Sequence, residues 1–294
     1  MKVPGAATEQ APSALGPALA ILASMVSVNA GAAWAKGLFP LVGSEGVTAV
    51  RVGLAALLML AIVRPWRTIP SRRDALNLLA YGLMLGCMNL LIYGAFARIP
   101  IGVAVAIEVI GPLTVVVLSS RRARDFAWVL LAAFGLWLLA PFHDGVPPLD
   151  PLGVLYALGA AFCWAMYIVF GKRVSNLNGG QAVAWGMLAA ALFTVPFGVA
   201  HAGAGLLAPA VLIGGLAVAV LSSALPYSLE MAALRRLPQR VFGILVSAGP
   251  AFAALAGYVV LGERLTGQQW LAIALVVLAC AGAAATAGKR SSTA

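Results

Sequence analysis

Residues 98–113 read RIPIGVAVAIEVIGPL, an apolar stretch with one carboxylate, Glu108, in its middle and a Gly-Pro pair, Gly111-Pro112, just after it. An ionised side chain in the centre of a membrane helix costs about 2.5–3.5 kcal/mol on insertion scales, so it is tolerated where it faces protein or a water-filled cavity. Proline removes the amide that would bond the carbonyl four residues earlier, and that residue is Glu108 itself. One position thus offers a titratable side chain and a freed backbone carbonyl, the ingredients of a polar site in a broken membrane helix.

The stretch is echoed at 236–251, RLPQRVFGILVSAGPA, where Arg236, Pro238, Gly249 and Pro250 match Arg98, Pro100, Gly111 and Pro112 without a gap. Trp34-Ala35 and Trp164-Ala165 form a weaker echo at a different offset. Glu108 has no acidic counterpart, since Val246 stands in its place. The pattern predicts two duplicated scaffolds carrying an unequal site.

Composition sets the surroundings. With 62% hydrophobic and 10% charged residues, the 294-residue chain is too apolar for a soluble globule, in which about 25% of residues are charged. The net charge of +10 does not point to nucleic acid, because the basic residues punctuate apolar runs instead of grouping on one face. Cys87, Cys163 and Cys280 each lie inside an apolar run without ligand spacing, which reads as small buried side chains. No metal or cofactor is expected.

Runs long enough to span predict an all-α polytopic membrane protein of ten helices, at about 15–36, 46–63, 75–97, 101–118, 125–141, 151–170, 181–200, 208–232, 240–261 and 268–287. The first is read as a retained helix, not a cleaved signal. Fifteen Lys and Arg fall in one set of alternate loops and termini and three in the other, which predicts both termini in the cytoplasm. Two repeats of five spans, 15–141 and 151–287, with cytoplasmic tails at 1–14 and 288–294, must run in opposite directions through the membrane. Inverted repeats are an architecture of alternating-access carriers, with the substrate between the halves.

The rise of about 1.5 Å per residue then places Asn29, Arg51, Asn89 and Glu108 within about 3 Å of one depth, and Tyr93 shares the face of Asn89. Arg51 suits a carboxylate and Glu108 an ammonium or a proton, which together suit an amino acid. A structural Arg51–Glu108 ion pair is the competing reading. Glu230, beside Arg235 and Arg236, reads as a local salt bridge, a cytoplasmic gate or a second proton site. Lys36 and Glu45 read as snorkelling or mutually paired. Trp164 and Tyr227 are cavity candidates, whereas Trp34 and Tyr167 fit interfacial anchors as well. Ser247 is a polar neighbour of Pro250, and Pro226 loosens the eighth span by freeing the carbonyl of Ser222. With Gly111, Pro112, Gly249 and Pro250, it forms the expected set of hinges. Gly82 and Gly86 form a GxxxG, a sign of close helix packing. An intramembrane hydrolase lacks its base, because His143 and His201 fall in loops. A channel fits a midplane carboxylate within inverted repeats less well.

The repeats, each with Gly-Pro in its fourth helix, and LGERLTGQQW (261–270) resemble the EamA repeat of the drug/metabolite transporter superfamily. AAWAKGLFPLVG (32–43), AIEVIGPL (106–113), SSRRARDFAWVLLAAFGLW (119–137) and LSSALPYSLEMAALRRLP (221–238) resemble its threonine/homoserine exporter group. The first repeat lacks LGER. The resemblance implies a bacterial inner-membrane carrier that exports small amino acids, by exchange for protons. Another amino acid, metabolite or drug is the alternative cargo, and uptake the alternative direction. The implied partners are substrate, protons and membrane lipid; oligomeric state is open.

Overall fold

The computed structural model describes residues 15–67, 70–118, 123–139, 149–174, 177, 179–226, 229, 245 and 248–287. The described residues are helical with short connections, and none is in a strand. In chain order the helices are α1 (Leu15–Gly37), α2 (Phe39–Val63), α3 (Arg72–Phe96), α4 (Ile101–Glu108), α5 (Ile110–Leu118) and α6 (Ala123–Leu139). They continue as α7 (Pro151–Arg173), α8 (Gly179–Ala202), α9 (Pro209–Ala219), α10 (Gly249–Leu261) and α11 (Gly267–Ala287). Five are long and apolar enough to cross a membrane, namely α1, α2, α3, α7 and α8, and shorter apolar helices occupy the other expected spans.

Local chemistry accounts for where these helices begin and break. α2 opens with a short turn over residues 39–42 that carries Pro40, and the span expected from about residue 46 runs on from Ser44 after it. The two pieces are separated at Gly43, whose φ of 69° and ψ of 173° are not helical. The helix expected over 101–118 is interrupted at Val109, as Pro112 cannot donate to the Glu108 carbonyl. Thr114 answers part of the disturbance by donating its hydroxyl to the Ile110 carbonyl at 2.8 Å. Farther on, α10 opens on Gly249-Pro250. A π turn at Val220–Ala224 follows α9 and immediately precedes Leu225-Pro226.

α2 packs along α8, and α6 along α11. On one side α7 packs against α3, α4 and α5; on the other α1 packs against α10, α9 and the π turn. α4 crosses to α10 and joins the two groups. Gly82 and Gly86 let α3 approach α8 at Gly186, Ala189 and Ala190, so the GxxxG serves packing within the chain. At Gly111 the approach is tighter still, and a methyl group would collide with the Ala161 carbonyl of α7. The break after Glu108 is therefore pressed against α7.

Candidate functional site

Arg51, midway along α2, has no solvent to receive it and is buried. Its Nη2 donates to the Asn89 side-chain oxygen on α3, and its guanidinium lies 4.9 Å from the centre of the Tyr93 ring. Asn89 completes its bonding by donating to the Leu85 carbonyl at 2.7 Å. Because Asn89 and Tyr93 are four residues apart, one face of α3 delivers both to Arg51. Of the residues singled out in the sequence, the structure brings Arg51, Asn89 and Tyr93 together.

Glu108 ends α4 and is only 7% exposed. It makes no ion pair with Arg51 within 4 Å, yet Arg51 is the charged group that acts on it electrostatically. Arg51 Nε and the Tyr93 hydroxyl are two of six side-chain polar atoms, among the described residues, that are buried without a partner. Buried polar groups are ordinarily bonded, so this pair has hydrogen-bonding capacity that the described residues leave unused. The arrangement offers a fixed cation, a hydroxyl and an acid, the groups that would receive the two charged ends of an amino acid.

Asn29 is buried on α1 and donates to the Met25 carbonyl of its own helix at 2.8 Å, with no hydrogen bond to another described site residue. Trp164 on α7 is half-buried and packs with Ala106, Val109, Ala254 and Ile273, close to the helix break. Tyr227, Glu230 and Ser247 lie outside the described residues. Trp34 faces outward at 54% exposure, on the anchor side of its two readings. Tyr167 instead shares a hydrogen bond of 2.9 Å with Tyr81. Cys87 and Cys163 lie near one another on the packed helices α3 and α7, a proximity the sequence spacing did not signal.

A second polar cluster was also missed. Glu263 Oε1 accepts from Lys36 Nζ at 2.6 Å, and its Oε2 accepts from the Ile101 amide at 3.0 Å. Lys36 therefore pairs with Glu263, not with Glu45; Glu45 accepts from the neighbouring Ser44 hydroxyl at 3.0 Å. The arrangement matches helix electrostatics: a cation at the end of α1, and an anion at the start of α4, where Pro100 gives no side-chain cap. The signal lay in LGERLTGQQW. Gly262, left-handed at φ 67°, ends α10 and lets the Glu263 amide bond the Gly257 carbonyl at 3.1 Å. Thr266 and Gln269 then form a reciprocal capping box at the start of α11, and Gln268 donates to the Leu138 carbonyl of α6 at 2.8 Å.

Comparison with known proteins agrees with this architecture. The profile of the EamA-like transporter family matches residues 151–284. The threonine/homoserine exporter RhtA of Salmonella typhimurium (strain LT2) is 49% identical over 92% of this chain and 92% of its own. Its Escherichia coli K12 namesake is 48% identical over 94% and 93%. A protein of known crystal structure, 19% identical, superposes with a TM-score of 0.59 over 92% of this chain and 99% of its own, which supports the fold. These named relatives are transporters, not enzymes, and identity of this order along nearly the whole length decides the assignment. The chain belongs to the EamA-like transporters, in the family of the threonine/homoserine exporters RhtA.

Proposed function

We propose that the protein is a secondary active exporter of small amino acids such as threonine and homoserine, working by proton antiport from the bacterial inner membrane. The observation that carries the site is buried Arg51, whose guanidinium lies against the Tyr93 ring with Nε unpartnered and which acts electrostatically on Glu108, a carboxylate without an ion pair among the described residues. In this reading Arg51 and Tyr93 receive the substrate carboxylate, and Glu108 receives either the ammonium group or the counter-transported proton. The names of the relatives supply the substrate class.

The architecture in this reading is ten spans in two inverted repeats, with both termini in the cytoplasm. Its supports are the basic asymmetry of the loops and five shorter apolar helices at the remaining expected spans. The packing adds a further support. Exchanging the repeats converts the α1–α10 contact into that of α7 with α4 and α5, and the α3–α7 contact into that of α1 with α9. Such a molecule alternates by moving one helix group against the other around the site. Glu263 then holds the groups together on the periplasmic side, since it binds α1 and the start of α4 at once.

The test is amino-acid efflux from proteoliposomes loaded with threonine or homoserine under an imposed pH gradient. Flux of either, coupled to proton movement, is the expected result. Absence of flux with both, while another metabolite moves, would overturn the substrate reading.

A further inference from the structure

Far from Arg51 the outer surface carries an open groove of about 490 Å³ between the first half of α3 and the middle of α8. Its walls are almost wholly carbon and include Trp66, Ala75, Leu79, Trp185, Leu188 and Leu192. On α3, Ala75 and Leu79 lie four apart; on α8, Trp185, Leu188 and Leu192 follow the same helical face. Gly82 draws the two helices together against Gly186 and Ala189, closing the groove at that end.

The opposite end is basic. Trp66 lies between Arg64 and Arg67 in the turn after α2, and Arg72 sits one helical turn before Ala75 on the same face of α3. Arg64, Arg67, Arg72 and Arg73 are exposed, and none forms a salt bridge with the described residues. Asp74, the nearby carboxylate, already accepts from the Ser71 hydroxyl at 2.6 Å. An apolar slot that ends in unpaired guanidinium groups complements an acyl chain joined to a phosphate. Arginine is suited to the phosphate through paired N–H donors, and basic pockets beside membrane helices favour anionic headgroups.

We propose that this groove is a binding site for an anionic phospholipid, with an acyl chain between α3 and α8 and the headgroup phosphate at Arg67 and Arg72. Trp66 lies over the junction of chain and headgroup, where amphipathic aromatic rings settle. The site is independent of the Arg51–Glu108 reading, and a failure of amino-acid transport leaves it standing.

Native mass spectrometry of the full chain in detergent tests it, using phosphatidylglycerol and phosphatidylcholine of identical acyl chains. The native protein is expected to retain one phosphatidylglycerol at least about tenfold more strongly than phosphatidylcholine, given two arginines at the phosphate. The double variant Arg67→Gln, Arg72→Gln removes that preference by acting on exposed charges. Ala75→Trp fills the slot and lowers retention of both lipids. Equal retention of the two lipids by the native protein, or a preference that survives both changes, overturns the proposal. A second protein copy that Ala75→Trp displaces would also overturn it, by assigning the groove to self-association.

Discussion

The Arg51 guanidinium donates to the Asn89 side-chain oxygen and leaves Glu108, its electrostatic partner, outside ion-pair distance. Held from α3, the guanidinium keeps its charge in place while its Nε has no partner. Arg51→Lys retains the charge but loses the planar fork and the contact over Tyr93. Loss of one charge-assisted bond, worth about 1.5–3 kcal/mol, should raise KM for amino-acid efflux roughly tenfold or more. Asn89→Ala should act in the same direction by freeing the guanidinium. Unchanged KM in both variants would remove Arg51 from the substrate site.

Lys36 and Glu263 are 227 residues apart in sequence and bonded in the fold. Glu263→Ala strips the start of α4 of its borrowed cap and leaves Lys36 without its partner. A stability loss of roughly 1.5–3 kcal/mol is expected for a charged, partly buried hydrogen bond, read as a lower Tm in detergent. Glu263→Gln keeps an acceptor for the Ile101 amide and should lose less. If the latch also holds the periplasmic side closed, cysteine-reactive probes placed behind it should label faster in Glu263→Ala.

Gly111→Ala should destabilise the protein by about 1–3 kcal/mol, the usual cost of forcing a methyl group into a filled contact. The obstruction is the Ala161 carbonyl, backbone that cannot rotate away. Gly267→Ala makes a matched control, as nothing lies within 4 Å of a methyl group there. Equal thermal midpoints for the two variants would contradict the close α5–α7 contact.

Outside the spans, Asp150 provides a pH-dependent element. Its carboxylate accepts from Arg98 Nη1 at 2.8 Å and from the Leu152 amide at 2.8 Å, and these bonds hold its pKa below the usual value. A depressed folded pKa means that the stabilisation is present above the unfolded value, about 3.9, and disappears as pH falls through the folded one. Asp150→Asn retains a capping oxygen but not the charge. Its Tm should lie below that of the native protein at neutral pH, and the gap should narrow as the pH falls below the unfolded value of about 3.9. A gap that stays constant with pH would assign the effect to capping alone.

How far the sequence reveals the molecule depends on the range of the interaction. Hydropathy placed the helices because each run carries its own signal, and helical spacing put Asn89 and Tyr93 on one face. Depth counting put Arg51 at nearly the level of Asn89, and the contact itself is a finding of the structure. The same reasoning had no access to rotation about a helix axis, which is why Asn29 matched in depth yet bonds to its own helix. The Lys36–Glu263 pair and the Cys87–Cys163 contact depend on packing between distant helices, which one-dimensional spacing does not encode. The break at Val109 was foreseeable in kind, since Pro112 announces it, whereas the short turn over residues 39–42 before Gly43 carries too few residues to give a span signal of its own.

The central claim is that Glu108 couples amino-acid efflux to protons, and one measurement addresses it directly. Purified native protein and Glu108→Gln would be reconstituted in liposomes loaded with threonine or homoserine, with efflux and internal pH followed together under an imposed pH gradient. The account predicts proton-coupled efflux by the native protein and its loss in Glu108→Gln, with the variant still inserted and folded. Proton-coupled efflux that persists in Glu108→Gln would contradict it and leave Glu108 a structural residue at the break between α4 and α5.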